Sequence, residues 1–383
     1  MSDIKQDSID LHREKRGKLE VKSKVPVANR RDLSLAYTPG VGAVSEAVAT
    51  NPSLAYELTL KGNTVAIISD GSAVLGLGNL GPAGAIPVME GKAVLFKEFA
   101  DIDGFPICLD TQDVEQIIQT VKNIAPVFGG INLEDISAPR CFEIEERLRN
   151  ELDIPVMHDD QHGTAVVVLA GLINALKLRG SKKDEVKIVV NGAGAAGTAI
   201  VKILADYGFK HFTLCDSKGV MTKDRGGLNN EKLKLISYLE SKTGEYAPIG
   251  GDLRTAMNGQ DIFVGVSKGN LVDAEMVRSM NERPIIFALA NPAPEIMPDV
   301  AKEAGAFVVA TGRSDFPNQI NNVLAFPGIF RGALDNHIKQ FNDAMFVRAA
   351  ESLAGCVKDP TTDQVLPDPF DKMIIGKIAE VIK

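Results

Sequence analysis

The sequence predicts an α/β protein in two domains, with a doubly wound parallel sheet in the second. Three observations carry this expectation. At 383 residues the chain is longer than a single hydrophobic core usually supports. Short strand-like runs alternate with helical periods almost throughout, the pattern of parallel sheet covered by helices. One unit, Lys187 to Asp216, reads as a complete strand, glycine turn, helix and strand. The expected division is residues 1–157 for an N-terminal α/β domain and 158–383 for the second domain.

In chain order, Asn51-Pro52 has the character of an N-cap followed by proline at the first helical position, and Gly62 is placed to end that helix. Thr64 to Ser69 reads as a buried strand. Val114, Ile117, Ile118 and Val121 fall at i, i+3, i+4 and i+7, so they mark an amphipathic helix that stops before Pro126. Gly130 to Leu133 is the next strand and ends at the acidic pair Glu134-Asp135. Ser137 and Pro139 open a further helix. Ile154 to Met157 is a strand that runs into HDDQHG and then the apolar helix Ala165 to Leu178. Beyond the glycine unit, strands are expected at Asp261 to Val266, Ile285 to Ala290 and Ala306 to Ala310. Each ends in a polar loop (SKGN, NPAP, TGRSDFP), and in an open parallel sheet such loops border the ligand crevice.

Composition restricts the class. A hydrophobic content of 45% and a charged content of 24% are those of a globular protein. A formal net charge of −8 with no run of Lys or Arg gives nucleic acid no electrostatic footprint. No stretch reaches the roughly 20 apolar residues of a membrane span. The most apolar segment, Ala165 to Leu178, is interrupted by Gly171, Asn174 and Lys177, as in a buried helix. The N-terminal MSDIKQDSIDLHREKRGK has neither the apolar core nor the cleavage signature of a secretory peptide, so a cytoplasmic location is expected. Cys108, Cys141, Cys215 and Cys356 form no C-x-x-C pair and read as buried thiols.

The strongest local motif is Gly192-Ala193-Gly194-Ala195-Ala196-Gly197, between the strand Lys187 to Val190 and the helix Thr198 to Asp206. The first glycine permits a tight turn, the second lets a pyrophosphate approach the backbone, and the third packs helix against strand. The helix N-terminus supplies free N–H groups and positive dipole to the phosphates. The second strand, His211 to Cys215, ends in Asp216, where an acidic residue meets the adenosine ribose, with Ser217 and Lys218 following in the loop. The expected cofactor is therefore a nicotinamide dinucleotide on a Rossmann-type sheet. Asp216 favours NAD by repelling a 2′-phosphate, while Lys218 would neutralise such a phosphate and admit NADP.

Seven ordered segments share a further likeness: LSLAYTPGV (33–41), VLGLGNLGPAGAIPVMEGKAVLFK (74–97), NLEDI (132–136), HDDQHGTA (158–165), GAGAAG, FALANP (287–292) and NNVLAFPG (321–328). Together they resemble the malic enzymes of the short bacterial type, over about residues 17–334. The resemblance implies oxidative decarboxylation of (S)-malate to pyruvate and CO2 with NAD or NADP and a divalent cation. It places the metal on Glu134, Asp135 and Asp160, a hard-oxygen set suited to Mg²⁺ or Mn²⁺. It makes Lys92 and Tyr37 catalytic, with Asp159 orienting the lysine, and it assigns Asn291 and Asn322 to the substrate, Asn291 also bordering the cofactor. A lysine whose pKa is lowered by burial and a nearby cation can take the C2 hydroxyl proton, and a tyrosine can protonate C3 of the enol.

Without the resemblance each residue has a plainer reading. Lys92 would be a surface charge, Tyr37 a packing residue, Glu134-Asp135 and Asp159-Asp160 helix-start acids, and Asn291 and the Asn321-Asn322 pair turn residues. His158 and His162 lack a third ligand at zinc spacing. One departure stands out: the arginine that clamps a substrate carboxylate in longer relatives falls on Ala73, leaving Ser72, Asn291 and Asn322 as candidate donors. Malolactic conversion with retained NAD is the alternative activity, with a metal-free amino-acid dehydrogenase and a non-catalytic nucleotide sensor behind it. The expected partners are malate and pyruvate, with no nucleic acid or membrane. A homodimer is expected, in which Tyr37, 55 residues before Lys92 and just after a charged stretch, reaches across the two-fold interface.

Overall fold

In the computed structural model, which describes residues 4–383, the strands fall into two sheets. The first contains β1 (Thr64–Ser69), β2 (Asp103–Cys108), β3 (Gly130–Leu133) and β4 (Val156–His158), all parallel in the order β2-β1-β3-β4. Every residue of β1 is buried, which explains its unbroken TVAIIS run in place of alternation. Val65 and Ile67 face Met89 and Phe96 of the helix Gly81–Ala100, while Ala66 and Ile68 face Ile117, Ile118 and Val121 of the helix Val114–Ile124. Strand β2 is absent from the sequence reading because DGFPIC carries Gly104 and Pro106. It lies at the sheet edge, where sheets tolerate proline.

The second sheet contains β5 (Lys187–Asn191), β6 (His211–Asp216), β7 (Gly219–Val220), β8 (Ile262–Gly265), β9 (Ile285–Ala288) and β10 (Val308–Thr311) in the order β10-β9-β8-β5-β6-β7. All pairings are parallel except that of β7, which turns back beside β6. This is the doubly wound arrangement, with the strand order reversing between β5 and β8. The same kind of reversal lies between β1 and β3 in the first sheet. Both reversals open a crevice at the carboxyl ends of the strands, and both crevices hold the candidate site residues.

Two local expectations change. The helix expected from Asn51 to Gly62 breaks into a 3-10 turn (Pro52–Leu54), one α-turn (Ala55–Leu58) and a second 3-10 turn (Leu60–Asn63). Asn51 does cap, accepting the Ser53 N–H, but Gly62 sits inside the last turn, where a Cβ would lie 2.1 Å from the Tyr56 carbonyl oxygen. The apolar helix begins six residues earlier than expected and spans Asp159–Arg179, so both acids of HDDQHG occupy its first turn. By length and composition it could cross a membrane, but most of its residues are buried, and it packs against the helices Ala195–Tyr207 and Asp343–Ala354. Its Asn174 is satisfied by donating to the carbonyls of Ala354 and Val365.

After the second sheet the chain returns to the first. The helix Phe326–Asp335 sets Phe326 and Phe330 edge-on to Phe96, at ring separations of 4.7 and 5.4 Å. Truncating such a fully buried phenylalanine to alanine typically costs about 3–5 kcal/mol. This contact carries NNVLAFPG from the second half onto the helix that holds Lys92.

Candidate active site

The acidic pair Glu134-Asp135 leaves the end of β3, and Asp159-Asp160 leave the end of the adjacent β4. Because the two strands are parallel neighbours, residues 25 apart in sequence meet: the Asp135 N–H donates to Asp160 Oδ2 at 2.8 Å. Ligand oxygens of Glu134, Asp135 and Asp160 lie within 4.8 Å of one another. Asp135 holds a left-handed backbone (φ 54°), a strained conformation of the kind that collects at functional sites.

From the opposite side, Lys92 projects from the Gly81–Ala100 helix. Its Nζ lies 2.7 Å from Asp159 Oδ2, 3.0 Å from Glu134 Oε1 and 4.4 Å from the centre of the Phe326 ring. Asn322 Nδ2 also donates to Asp159 Oδ2. Its neighbour Asn321 is the turn residue of the pair, accepting the Val323 N–H. Gly163, one helical turn after Asp159, leaves the space that Asp159 fills, since a Cβ there would fall 1.8 Å from Asp159 Oδ1.

The electrostatics are unbalanced. Four carboxylates (Glu134, Asp135, Asp159, Asp160) face one ammonium. Burial pushes Asp135 up to about 8, with Asp160 and Glu134 adding to the effect. Burial raises Asp159 to about 6 against the pull of Lys92, and it also raises Glu134. Burial alone would lower the Lys92 ammonium, but Asp159 and Glu134 outweigh it and hold the pKa well above the usual lysine range. The lowered pKa expected for Lys92 therefore requires added positive charge beside it. Asp135 Oδ2 and Asp159 Oδ1 are buried with no hydrogen-bond partner. Uncompensated hard oxygens in this number suit a divalent cation.

Behind the acids stands Glu145, which sequence reasoning missed. Its buried carboxylate accepts the His158 N–H (3.0 Å) and the Gln161 side chain (2.9 Å) and pairs with His162 Nε2 (2.9 Å). Burial works to raise its pKa, but His162 and His158 prevail and hold it at about 2. A signal was readable: Cys141, Ile144, Glu145 and Leu148 form an i, i+3, i+4, i+7 stripe, and a carboxylate in a buried stripe needs a partner. His162 also stacks on Phe346, and His158 Nε2 stays 3.8 Å from Asp160, so the two imidazoles take separate places.

Three other candidates are placed differently from the rest. The Ser72 hydroxyl donates to Asp70 Oδ1 and accepts the Ser137 N–H, so its hydrogen is already engaged. Asn291 is exposed at the end of β9, with its carbonyl close to Gly76. Tyr37 is 66% exposed, and its hydroxyl makes no hydrogen bond among the described residues.

The glycine turn fits a dinucleotide. A Cβ at Gly194 would meet only open space, the approach a pyrophosphate needs, whereas one at Gly197 would fall 1.8 Å from the Gly192 carbonyl oxygen. The helix Ala195–Tyr207 starts at this turn and points its N-terminus into the crevice. Gly192 N–H donates to the Cys215 carbonyl, tying the turn to the end of β6 and Asp216.

Fold and site together define a dinucleotide-dependent oxidoreductase with an acidic cation site. Residues 16–149 match the family model for the malic enzyme N-terminal domain, and residues 161–375 match that for the malic enzyme NAD binding domain. The chain is 52% identical to the bifunctional malic/malolactic enzyme of Bacillus subtilis, over 99% of this chain and 92% of that protein. It is 52% identical to the NAD-dependent malic enzyme of Geobacillus stearothermophilus, over 96% and 76%. The crystal structure of the NAD-dependent malic enzyme of Thermotoga maritima superposes with a TM-score of 0.94 at 50% identity, covering 98% of this chain and 99% of that one. The chain belongs to the malic enzyme family.

Proposed function

We propose that this protein oxidises (S)-malate to pyruvate and CO2, reducing NAD or NADP, with Mg²⁺ or Mn²⁺ held by Glu134, Asp135 and Asp160. The observation that carries this is the buried Lys92 ammonium, between Asp159 and Glu134 and beside that carboxylate triad. With the positive charge of a cation on the neighbouring carboxylates, the Lys92 ammonium would give up its own proton to solvent, and as the neutral amine it would take the proton from the C2 hydroxyl of malate as that carbon is oxidised. Asp159 holds the lysine in place and is itself held by Asn322. A cation held by Glu134, Asp135 and Asp160 would supply polarisation of the C2 oxygen, and a dinucleotide at the glycine turn would supply the hydride acceptor. With Ser72 engaged and Asn322 on Asp159, Asn291 is the remaining candidate donor for a substrate carboxylate.

Tyr37 supplies the proton to C3 after CO2 has left, and it does so from the neighbouring subunit of a homodimer. What supports this is the state of the N-terminal segment. The helices Ile4–Lys15, Arg30–Ala36 and Gly40–Thr50 bury no residue, and Leu35 and Tyr37 are each 66% exposed. Clustered exposed apolar side chains of this kind are what a symmetric interface covers.

The test is a malate oxidation assay with each dinucleotide, with Mn²⁺ or with EDTA. Reduced nicotinamide and pyruvate should form in equal amounts and only with the cation. Oxidation that persists in EDTA would remove the cation from the reading. Lactate without free reduced nicotinamide would establish the malolactic reaction in its place, a second reading favoured by the name of the Bacillus subtilis relative.

A further inference from the structure

Asp216 stands at the end of β6, where a doubly wound dinucleotide site reads the adenosine ribose. A carboxylate offers about four acceptor positions, and a ribose hydroxyl needs one that is free. Here all are occupied. Oδ1 accepts from Arg225 Nη1 and the Lys218 N–H, both at 2.9 Å, and Oδ2 accepts from Arg225 Nη2 and, at 2.6 Å, Lys232 Nζ. The side chain is only 6% exposed. Burial opposes its charge, but the Arg225 and Lys232 bonds hold it well below the usual carboxylate range.

The surrounding cations retain donors that have no acceptor. Arg225 Nε is buried without a partner. The Lys232 ammonium uses one of its three hydrogens on Asp216, and the Lys218 side chain has no partner among the described residues. Other acids of these loops are engaged elsewhere: Asp224 is held by the Thr222 side chain, Glu231 pairs with Lys234, and Asp252 accepts the Thr255 N–H. Three cations therefore surround one saturated anion at the position of the ribose 2′-oxygen. This chemistry matches an acceptor-rich dianion better than a pair of hydroxyl donors.

We propose that Arg225 and Lys232, with Lys218, form a binding site for the 2′-phosphate of NADP, and that Asp216 anchors these cations and is not the ribose acceptor. The proposal rests on the reading of the second sheet as a dinucleotide site, and it reverses the NAD preference expected from Asp216 in the sequence. Arg225 Nη1 is taken up by Asp216 and the Gly219 and Val220 carbonyls, so Arg225 offers the phosphate its Nε and the remaining Nη2 hydrogen, and Lys232 offers a point charge.

The test compares adenosine 2′,5′-bisphosphate with 5′-AMP by isothermal titration calorimetry on the full-length protein. The 2′-phosphorylated nucleotide should bind about tenfold or more tightly at low salt, the scale of a charge-assisted hydrogen bond, and the margin should narrow as salt is added. Arg225→Gln and Lys232→Gln should each reduce that affinity ratio by about tenfold, and Arg225→Lys should keep part of it. Asp216→Asn should tighten the bisphosphate, a gain that misfolding cannot produce. Equal affinities of the unmutated protein for the two nucleotides would overturn the 2′-phosphate site and leave the dinucleotide site standing. Failure to bind either nucleotide or NADH would overturn both.

Discussion

Replacing Glu145 by glutamine tests how the acidic site is held, because Glu145 contacts none of the proposed cation ligands directly. Its two oxygens receive the His158 N–H, the Gln161 amide and the His162 imidazole. A glutamine with its oxygen at the Oε1 position keeps the His158 and His162 contacts without their charge and turns its NH2 toward the Gln161 amide, so one bond is lost and two are weakened, a cost of roughly 3 kcal/mol in all. Independently, the fall in its pKa from 4.5 to about 2 corresponds to roughly 3 kcal/mol of stability in the ionised form. The two routes agree on about 3 kcal/mol. The folded-state pKa is the depressed one, so this stability is present above about pH 4.5 and is lost as the pH falls through about 2. Urea unfolding at pH 6 should show the full difference, and the two proteins should converge as the medium is acidified. The same substitution releases the first turn of the Asp159–Arg179 helix, so Mn²⁺ affinity should fall with stability. A Glu145→Gln protein within about 0.5 kcal/mol of the parent, the range of an ordinary surface change, would refute the network as derived.

Asp160→Ala should abolish malate oxidation and Mn²⁺ binding while NADH binding, read by fluorescence, stays nearly intact. Unchanged Mn²⁺ affinity would exclude Asp160 as a ligand. Lys92→Ala should lose malate oxidation but still decarboxylate added oxaloacetate with Mn²⁺, because that step needs no proton taken from C2. Loss of both activities in a folded protein would contradict the assigned role. Gly197→Ala places a methyl group 1.8 Å from the Gly192 carbonyl, so dinucleotide affinity should fall by at least about tenfold, the effect of a misplaced contact worth about 1.4 kcal/mol. Near-normal NADH titration would show that the turn can relax. Inactive Tyr37→Phe and Lys92→Ala chains, mixed and allowed to exchange subunits, should regain activity, since one site of each mixed dimer carries neither change. Verified mixed dimers without activity would place both residues in one subunit.

Much of this protein was legible locally. The strand at 64–69, the helix at 114–124 and the glycine turn at 192–197 follow from side-chain period and turn chemistry among near neighbours, and the structure has them in those places. The acidic pairs were visible at strand ends because strands stop at polar, loop-forming residues. What the chain does not display along its length is which side chains meet. Asp135 and Asp160 come together because β3 and β4 are parallel neighbours. Lys92 reaches Asp159, 67 residues away, because its helix packs on the same sheet. Asn322 reaches Asp159 while Asn321 serves its own turn, and Arg225 and Lys232 occupy an aspartate that sequence reasoning left open for ribose. Local backbone preference is set by a residue and its immediate neighbours, whereas the partners of a buried charge are set by strand order and helix packing. For that reason the sequence by itself determined the elements and the kinds of groups at their ends, and only the tertiary structure decided which of those groups share a charge.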